Sequence, residues 1–222
     1  MDRRRFIVWG AAGSVAVLAG CGGGGSESTT MVGSGPPSVN PPVTPPTGGL
    51  AEGRPLADLV RLANSSAAAG TFDGTLVAAR TGIPFLSGTT TEFWTYNGLV
   101  PGPLIDVFEG DTVRIRVDNR LALETTVHWH GLPVPPNQDG NPIDPIAPGN
   151  GRTYEFTLPV GSAGTYWYHP HPHEFTAEQV FRGMAGLFIV RSRTDPVPAG
   201  IEEKLLVISD LRLAADGTIP PN

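Results

Sequence analysis

From residue 75 onward the hydrophobic pattern of the chain has a period of two. Val113, Ile115 and Val117 alternate with Arg114, Arg116 and Asp118, and Tyr154, Phe156 and Leu158 alternate with Glu155 and Thr157. In an extended strand successive side chains point to opposite faces, so such a segment offers one face to a core and the other to solvent. Further candidate strands cover 75–79, 89–96, 104–108, 125–130, 164–169 and 185–190. Short strands separated by Gly, Pro and Asn turns indicate an all-β chain folded as an antiparallel sandwich. In this region only residues 176–182 read as helical. A hydrophobic content of 40% over 222 residues is enough to fill a globular core.

All five histidines fall inside this β region, between residues 125 and 174. They form two clusters, Val127-His128-Trp129-His130-Gly131 and Tyr168-His169-Pro170-His171-Pro172-His173. The β-branched and aromatic run Thr125-Thr126-Val127-His128-Trp129-His130 reads as strand, which puts His128 and His130 on one face. His169 and His171 each precede a proline, which disfavours the helical region and keeps that segment extended. Two imidazoles two residues apart in extended chain can aim at one small region, and imidazole suits copper, zinc, iron and nickel. A single His-x-His pair is as readily a hydrogen-bonded surface pair. Two such pairs holding nearly every histidine of the chain point to a metal site.

The same stretches carry a family resemblance. NGLVPGPLI (97–105), EGDTVRIRVDN (109–119), ETTVHWHGL (124–132), Asp139-Gly140, PGN (148–150) and GTYWYHPHPHEFTAEQVFRGMAGLFIV (164–190) resemble the first cupredoxin domain of multicopper oxidases. Within that family the match is most similar to the bacterial copper-efflux and laccase-like oxidases, and it runs from about residue 75 to the end. The resemblance implies a Greek-key, plastocyanin-like cupredoxin β-sandwich with copper as the cofactor. By resemblance His128 corresponds to a type 2 copper ligand, His130 and His169 to ligands of one type 3 copper, and His171 to a ligand of the other. His173 lies beyond these, with a supporting or solvent-facing role expected. Asp139 matches a family acid that helps deliver protons for oxygen reduction; the alternative is a plain Asp-Gly turn. Trp129, Trp167 and Tyr168 are expected to pack around the ligands rather than relay electrons.

The N-terminal part reads differently. Asp2-Arg3-Arg4-Arg5-Phe6-Ile7 and the apolar run that follows it resemble a twin-arginine export signal, too short for an ordinary membrane span. The run ends in Leu18-Ala19-Gly20-Cys21, similar to the site at which bacterial lipoproteins are cleaved and lipidated; Cys21 is the sole cysteine, which excludes an internal disulfide. Residues 22–49 are Gly-, Ser- and Pro-rich, lack apolar periodicity and read as a tether, spanning roughly 30 Å if flexible. These features predict an exported, cell-envelope or periplasmic protein held to the membrane by lipid alone. A net charge of -6 argues against nucleic acid as a partner. Residues 54–64 carry a short helical spacing of Leu56, Leu59, Val60 and Leu62.

The expected organisation is therefore an export signal at 1–21, a tether at 22–49, a first cupredoxin domain at 50–195, and the opening of an incomplete second cupredoxin domain at 196–222. Residues 203–210 read as that domain's first strand. The family's three-copper cluster lies between its first and last cupredoxin domains, and only the first domain's histidine pairs are present. A type 1 copper needs a cysteine near the cluster histidines, and a methionine is its usual axial ligand; the methionines here are only Met1, Met31 and Met184. The leading expectation is the copper-binding part of a multicopper oxidase, contributing half of the type 2/type 3 ligands and inactive by itself. Its partners would be the missing C-terminal domains or a complementing chain, with dioxygen and a reducing substrate in the parent enzyme. The alternatives are a stand-alone tethered copper-binding or copper-buffering cupredoxin, and a metal-free structural descendant.

Overall fold

Among the described residues, eight strands and one short α-helix follow one another as β1 (Thr71–Leu86), β2 (Thr89–Tyr96), β3 (Gly102–Phe108), β4 (Thr112–Asn119), β5 (His128–His130), β6 (Gly151–Thr157), β7 (Gly164–His169), α1 (Thr176–Phe181) and β8 (Gly186–Arg191). The structure is a computed structural model that describes residues 57–86, 88–194, 197, 198 and 200–221. The segments expected to be an export signal ending at Cys21 and a tether lie outside the described residues.

The strands form two four-stranded sheets, ordered β2-β1-β4-β6 and β3-β8-β7-β5. Their inner faces share one core, as the period-two pattern requires. Val113, Ile115 and Val117 from β4 are fully buried with Tyr154 and Phe156 of β6, against Ile105, Val107, Trp129, Tyr168, Phe188 and Val190 from the other sheet. Each such side chain contributes about 1.5–3 kcal/mol by leaving water. The Arg114, Arg116 and Asp118 side chains of β4 stay on the outer face and pair there with neighbouring charges. This is the all-β cupredoxin sandwich that the resemblance implies.

The expected purely antiparallel arrangement needs correction. β1 runs parallel to β4, and β3 parallel to β8, while β1/β2, β4/β6, β5/β7 and β7/β8 are antiparallel. After the β1–β2 hairpin the chain crosses to the second sheet as β3 and returns beside β1 as β4, so the parallel neighbours are joined through the opposite layer. Hydrophobic alternation is blind to strand direction, which explains the miss. β1 is also far longer than residues 75–79, since the hairpin with β2 carries it to Leu86.

Two further expectations change. Residues 57–64 form no helix; Arg61 bridges Leu104 in parallel and the Leu62 amide donates to the Leu104 carbonyl at 2.8 Å, so the segment lies along β3. The apolar spacing there serves a half-buried extended run, with Leu62 inward and Val60 exposed. Residues 203–210 carry neither helix nor strand, and Leu206 and Ile208 are 61% and 92% exposed. Farther on, the Gly217 carbonyl accepts the Thr91 hydroxyl at 2.8 Å, seating the 214–219 turn on β2.

Candidate metal centre

The site is built by the register between β5 and β7. His128 stands opposite His169, Trp129 opposite Tyr168, and His130 opposite Trp167. Cross-strand partners share a face, so one face carries His128, His130, Trp167 and His169, and the other carries Trp129 and Tyr168. The second face enters the core. Trp129 is fully buried with its indole 5.5–6.0 Å from the rings of Tyr154, Phe156, Tyr168 and Phe188. Tyr168 lies opposite Gly186 of β8, where a Cβ would overlap the phenol ring, and its hydroxyl donates to the Pro103 carbonyl at 2.7 Å. With their undersides locked in this way, β5 and β7 are held rigid beneath the histidines.

On the outer face the four paired histidines converge. The His128 ring centroid lies 5.5 Å from that of His130, 5.3 Å from His169 and 5.4 Å from His171. His130 Nδ1 and His169 Nε2 are 3.2 Å apart, and one nitrogen each of His128, His130 and His169 fall within 4.8 Å of one another. Among the described residues no ring contact joins His173 to this group; its carbonyl accepts the Phe175 amide at 2.8 Å.

The remaining ring atoms are fixed by the chain itself. A carbonyl only accepts, so His128 Nδ1–H donates to the Asp139 carbonyl at 2.9 Å, and His169 Nδ1–H to the Pro170 carbonyl at 2.8 Å. Both rings therefore carry their lone pair on Nε2, and that of His169 accepts the His130 Nδ1–H at 3.2 Å. Asp139 adds its carboxylate, Oδ1 lying 3.2 Å from His128 Nδ1. Gly140 lets this happen: its φ is +68°, and a Cβ there would overlap the Val127 carbonyl. Asp139 bends the chain at the end of the 3-10 helix Pro136–Gln138, and Gly140 is the point at which the loop presses on the strand leading into β5. The His171 amide donates to the buried Thr126 hydroxyl at 2.8 Å. Fully buried Gln179 of α1 accepts the Thr125 hydroxyl at 2.7 Å and donates to the Glu124 carbonyl at 2.8 Å, tying the helix to the approach of β5.

This donor set fits a metal. Two imidazole nitrogens bound to one tetrahedral ion at about 2.0–2.1 Å stand about 3.3 Å apart, and His130 and His169 are already at 3.2 Å. Nitrogen-only ligation by imidazole suits copper among few other ions. His171 stands at the edge of this group, its ring 5.4 Å from that of His128 and 6.0 Å from that of His169. Trp167 covers the cluster from the side, its ring 4.8 Å from His130 and 4.2 Å from His169, each tilted by 31°.

Burial holds the His169 imidazole down at about 4; the rings of His128, His130 and His171 push the same way, against the Pro170 carbonyl, which favours the charged form. The ring is thus neutral, as a ligand must be. In metal-free protein this makes folding pH-dependent. The unfolded imidazole takes up its proton near 6.5, the folded one only near 4, so across that window the unfolded state binds more protons. Stability present above 6.5 is lost as pH falls toward 4. Urea midpoints should drop across the window in wild type and drop less in His169→Gln; equal slopes would assign the effect elsewhere.

The alternating histidines and Asp139 were legible in the sequence, whereas Thr126, Gln179 and the loop contacts to Asp139 were not singled out. Thr126 and Gln179 stand inside the motifs that carry the resemblance, so position within a motif was the available signal.

Comparison with known proteins agrees with this geometry. The family model described as multicopper oxidase matches residues 78–195. The multicopper oxidase mco of Staphylococcus aureus is 36% identical over 139 residues, covering 61% of this chain and 31% of that protein. Copper resistance protein A of Escherichia coli is 37% identical over 129 residues, covering 56% of this chain and 20% of that protein. Among solved structures, a multicopper oxidase from Campylobacter jejuni, described as a metallo-oxidase, superposes with a TM-score of 0.73 at 50% identity, over 75% of this chain and 35% of its own. The chain thus spans about a third or less of the length of these relatives.

Proposed function

The chain belongs to the multicopper oxidase family, and on that footing we propose that its β5–β7 face supplies half of the ligands of a type 2/type 3 three-copper centre. In the complete enzyme that centre would couple oxidation of a substrate to reduction of dioxygen to water. The observation that carries this reading is the 3.2 Å approach of His130 Nδ1 to His169 Nε2, with His128 and His171 ringed around them. His128 serves the type 2 ion, His130 and His169 share one type 3 ion, and His171 serves the other. The remaining ligands come from another cupredoxin domain.

Copper bound at this face supplies one-electron redox chemistry and Lewis acidity. The chain's own residues orient and protect it. Asp139 and Pro170 hold their imidazoles through Nδ1–H, and outer contacts of this kind fix the ring orientation and raise ligand basicity. Asp139, its side chain one-third exposed, connects the His128 edge with solvent, the position from which a carboxylate can pass protons inward. Trp167 restricts water on one side of the cluster.

A second reading, copper binding and release by the domain alone, draws support from the exposure of His130 and His171, which leaves two ligands open to exchange. One experiment addresses both. A thiolate-bound type 1 copper requires a cysteine, and Cys21 is the only one in these 222 residues. The purified chain loaded with copper should bind the metal yet show neither the blue thiolate absorption nor sustained oxygen uptake with a phenolic or cuprous substrate. A blue band with enzyme-proportional oxygen consumption would overturn the half-site reading; failure to take up copper would overturn both.

A further inference from the structure

The loop that carries Asp139 to His128 is itself held by a residue on the neighbouring sheet. Arg152 lies near the start of β6 on the same face as buried Tyr154, with its guanidinium 4.9 Å over the Tyr154 ring. From there Nη2 donates to the Asn137 carbonyl at 2.7 Å and Nη1 to the Asp144 carbonyl at 3.1 Å. These two acceptors bracket Asp139-Gly140. The Asp144 carboxylate also pairs with Nη1 at 2.6 Å. With Asp144 at 68% exposure that ion pair is well screened and contributes little, so the two carbonyl contacts carry the clamp. Nearby, Gln138 Oε1 accepts the Glu155 amide at 2.8 Å, tying the same loop to the same strand.

A neutral imidazole can carry its proton on either nitrogen, and the partner of one nitrogen decides which. Only with the loop pressed inward does the Asp139 carbonyl meet His128 Nδ1, selecting the Nδ1–H form and freeing Nε2 toward the cluster. We propose that Arg152 is a positioning residue for His128: its planar fork spans Asn137 and Asp144, holds Asp139 against the ring, and thereby sets the tautomer in which His128 presents Nε2. A lysine could not do the same, because one ammonium on a flexible stem is a point donor rather than a fork matched to two fixed carbonyls. The relevance to copper rests on His128 being a ligand, as proposed above; the tautomer does not.

The test uses the full chain, metal-free and isotopically labelled, and reads the imidazole nitrogen shifts by long-range proton–nitrogen correlation. Wild type should show His128 as the Nδ1–H form. In Arg152→Gln the His128 shifts should move toward the average of the two tautomers while those of His169, anchored by the Pro170 carbonyl, stay put. Copper(II) affinity, measured against a competing chelator, should fall by about 10–100-fold, the usual cost of losing a ligand's outer support. Arg152→Lys, which keeps the charge, should share the defect. Unchanged His128 shifts in a folded Arg152→Gln protein would overturn the proposal. If Arg152→Gln lost the His169 signals as well, marking unfolding, Arg152→Lys would decide, and wild-type shifts there would overturn it. A tautomer change in protein that binds no copper even as wild type would leave the clamp standing and instead remove the metal reading.

Discussion

Gly140→Ala is expected to destabilise the domain by about 3 kcal/mol or more and to remove copper binding at His128. A left-handed backbone costs a residue with a Cβ roughly 1–2 kcal/mol by itself, and Gly140 sits at φ +68°. The larger part is steric. The new methyl would overlap both atoms of the Val127 carbonyl and crowd the His128 amide. These are backbone atoms at the entry to β5, and they cannot yield as a side chain tip would. Val127 is fully buried, and its amide meets the Tyr154 hydroxyl at 3.3 Å, so displacing the strand disturbs the core as well. Retreat of the loop instead would carry Asp139 off His128. Either response damages the site. Urea denaturation together with copper stoichiometry checks this, and a variant with the wild-type midpoint and full copper would show that the loop does not press on the strand.

His128→Ala should lower copper affinity by more than about 100-fold, beyond the 10–100-fold typical of outer contacts, because on the proposed assignment a ligand itself is lost. The ring is the hub of the cluster, in contact with those of His130, His169 and His171. Its side chain is about one-fifth exposed, and the Asp139 carbonyl that it leaves can be reached by water. The fold should therefore survive, and the loss reads on the metal rather than on stability. His173→Ala is the matched control, since that ring makes no contact with the cluster among the described residues; its affinity should stay within about twofold of wild type. Competition titrations of the two variants side by side measure the contrast. Greater loss in His173→Ala than in His128→Ala would mean that the ligand set is misassigned.

How far the sequence carried the site is clearest at particular residues. His128 and His130 on one strand face, and the extended His169-Pro170-His171, follow from local rules: the two-residue period and the restriction before proline. That His128 faces His169, rather than lying one step along, is a matter of register. A shift of a single residue would turn Trp129 outward and the histidines into the core. Burial of Trp129 and Tyr168, with Gly186 making room for the phenol ring, decides the register in favour of the site.

What the sequence by itself determined is the alternation that makes a two-layer β fold, the two His-x-His pairs held in extended chain, and the family whose motifs they occupy. Such features depend on neighbours a few positions apart, where backbone geometry alone relates side chains. The tertiary structure alone decided the parallel pairing of β1 with β4 and of β3 with β8, the extended course of residues 57–64 along β3, and the ring nitrogens that carry the lone pairs. It also brought Arg152 and Gln138 to the loop that holds Asp139. These contacts join residues far apart in the chain, and a backbone carbonyl accepts a hydrogen bond whatever residue bears it. No pattern of residue types encodes that choice; the packing of the two sheets makes it.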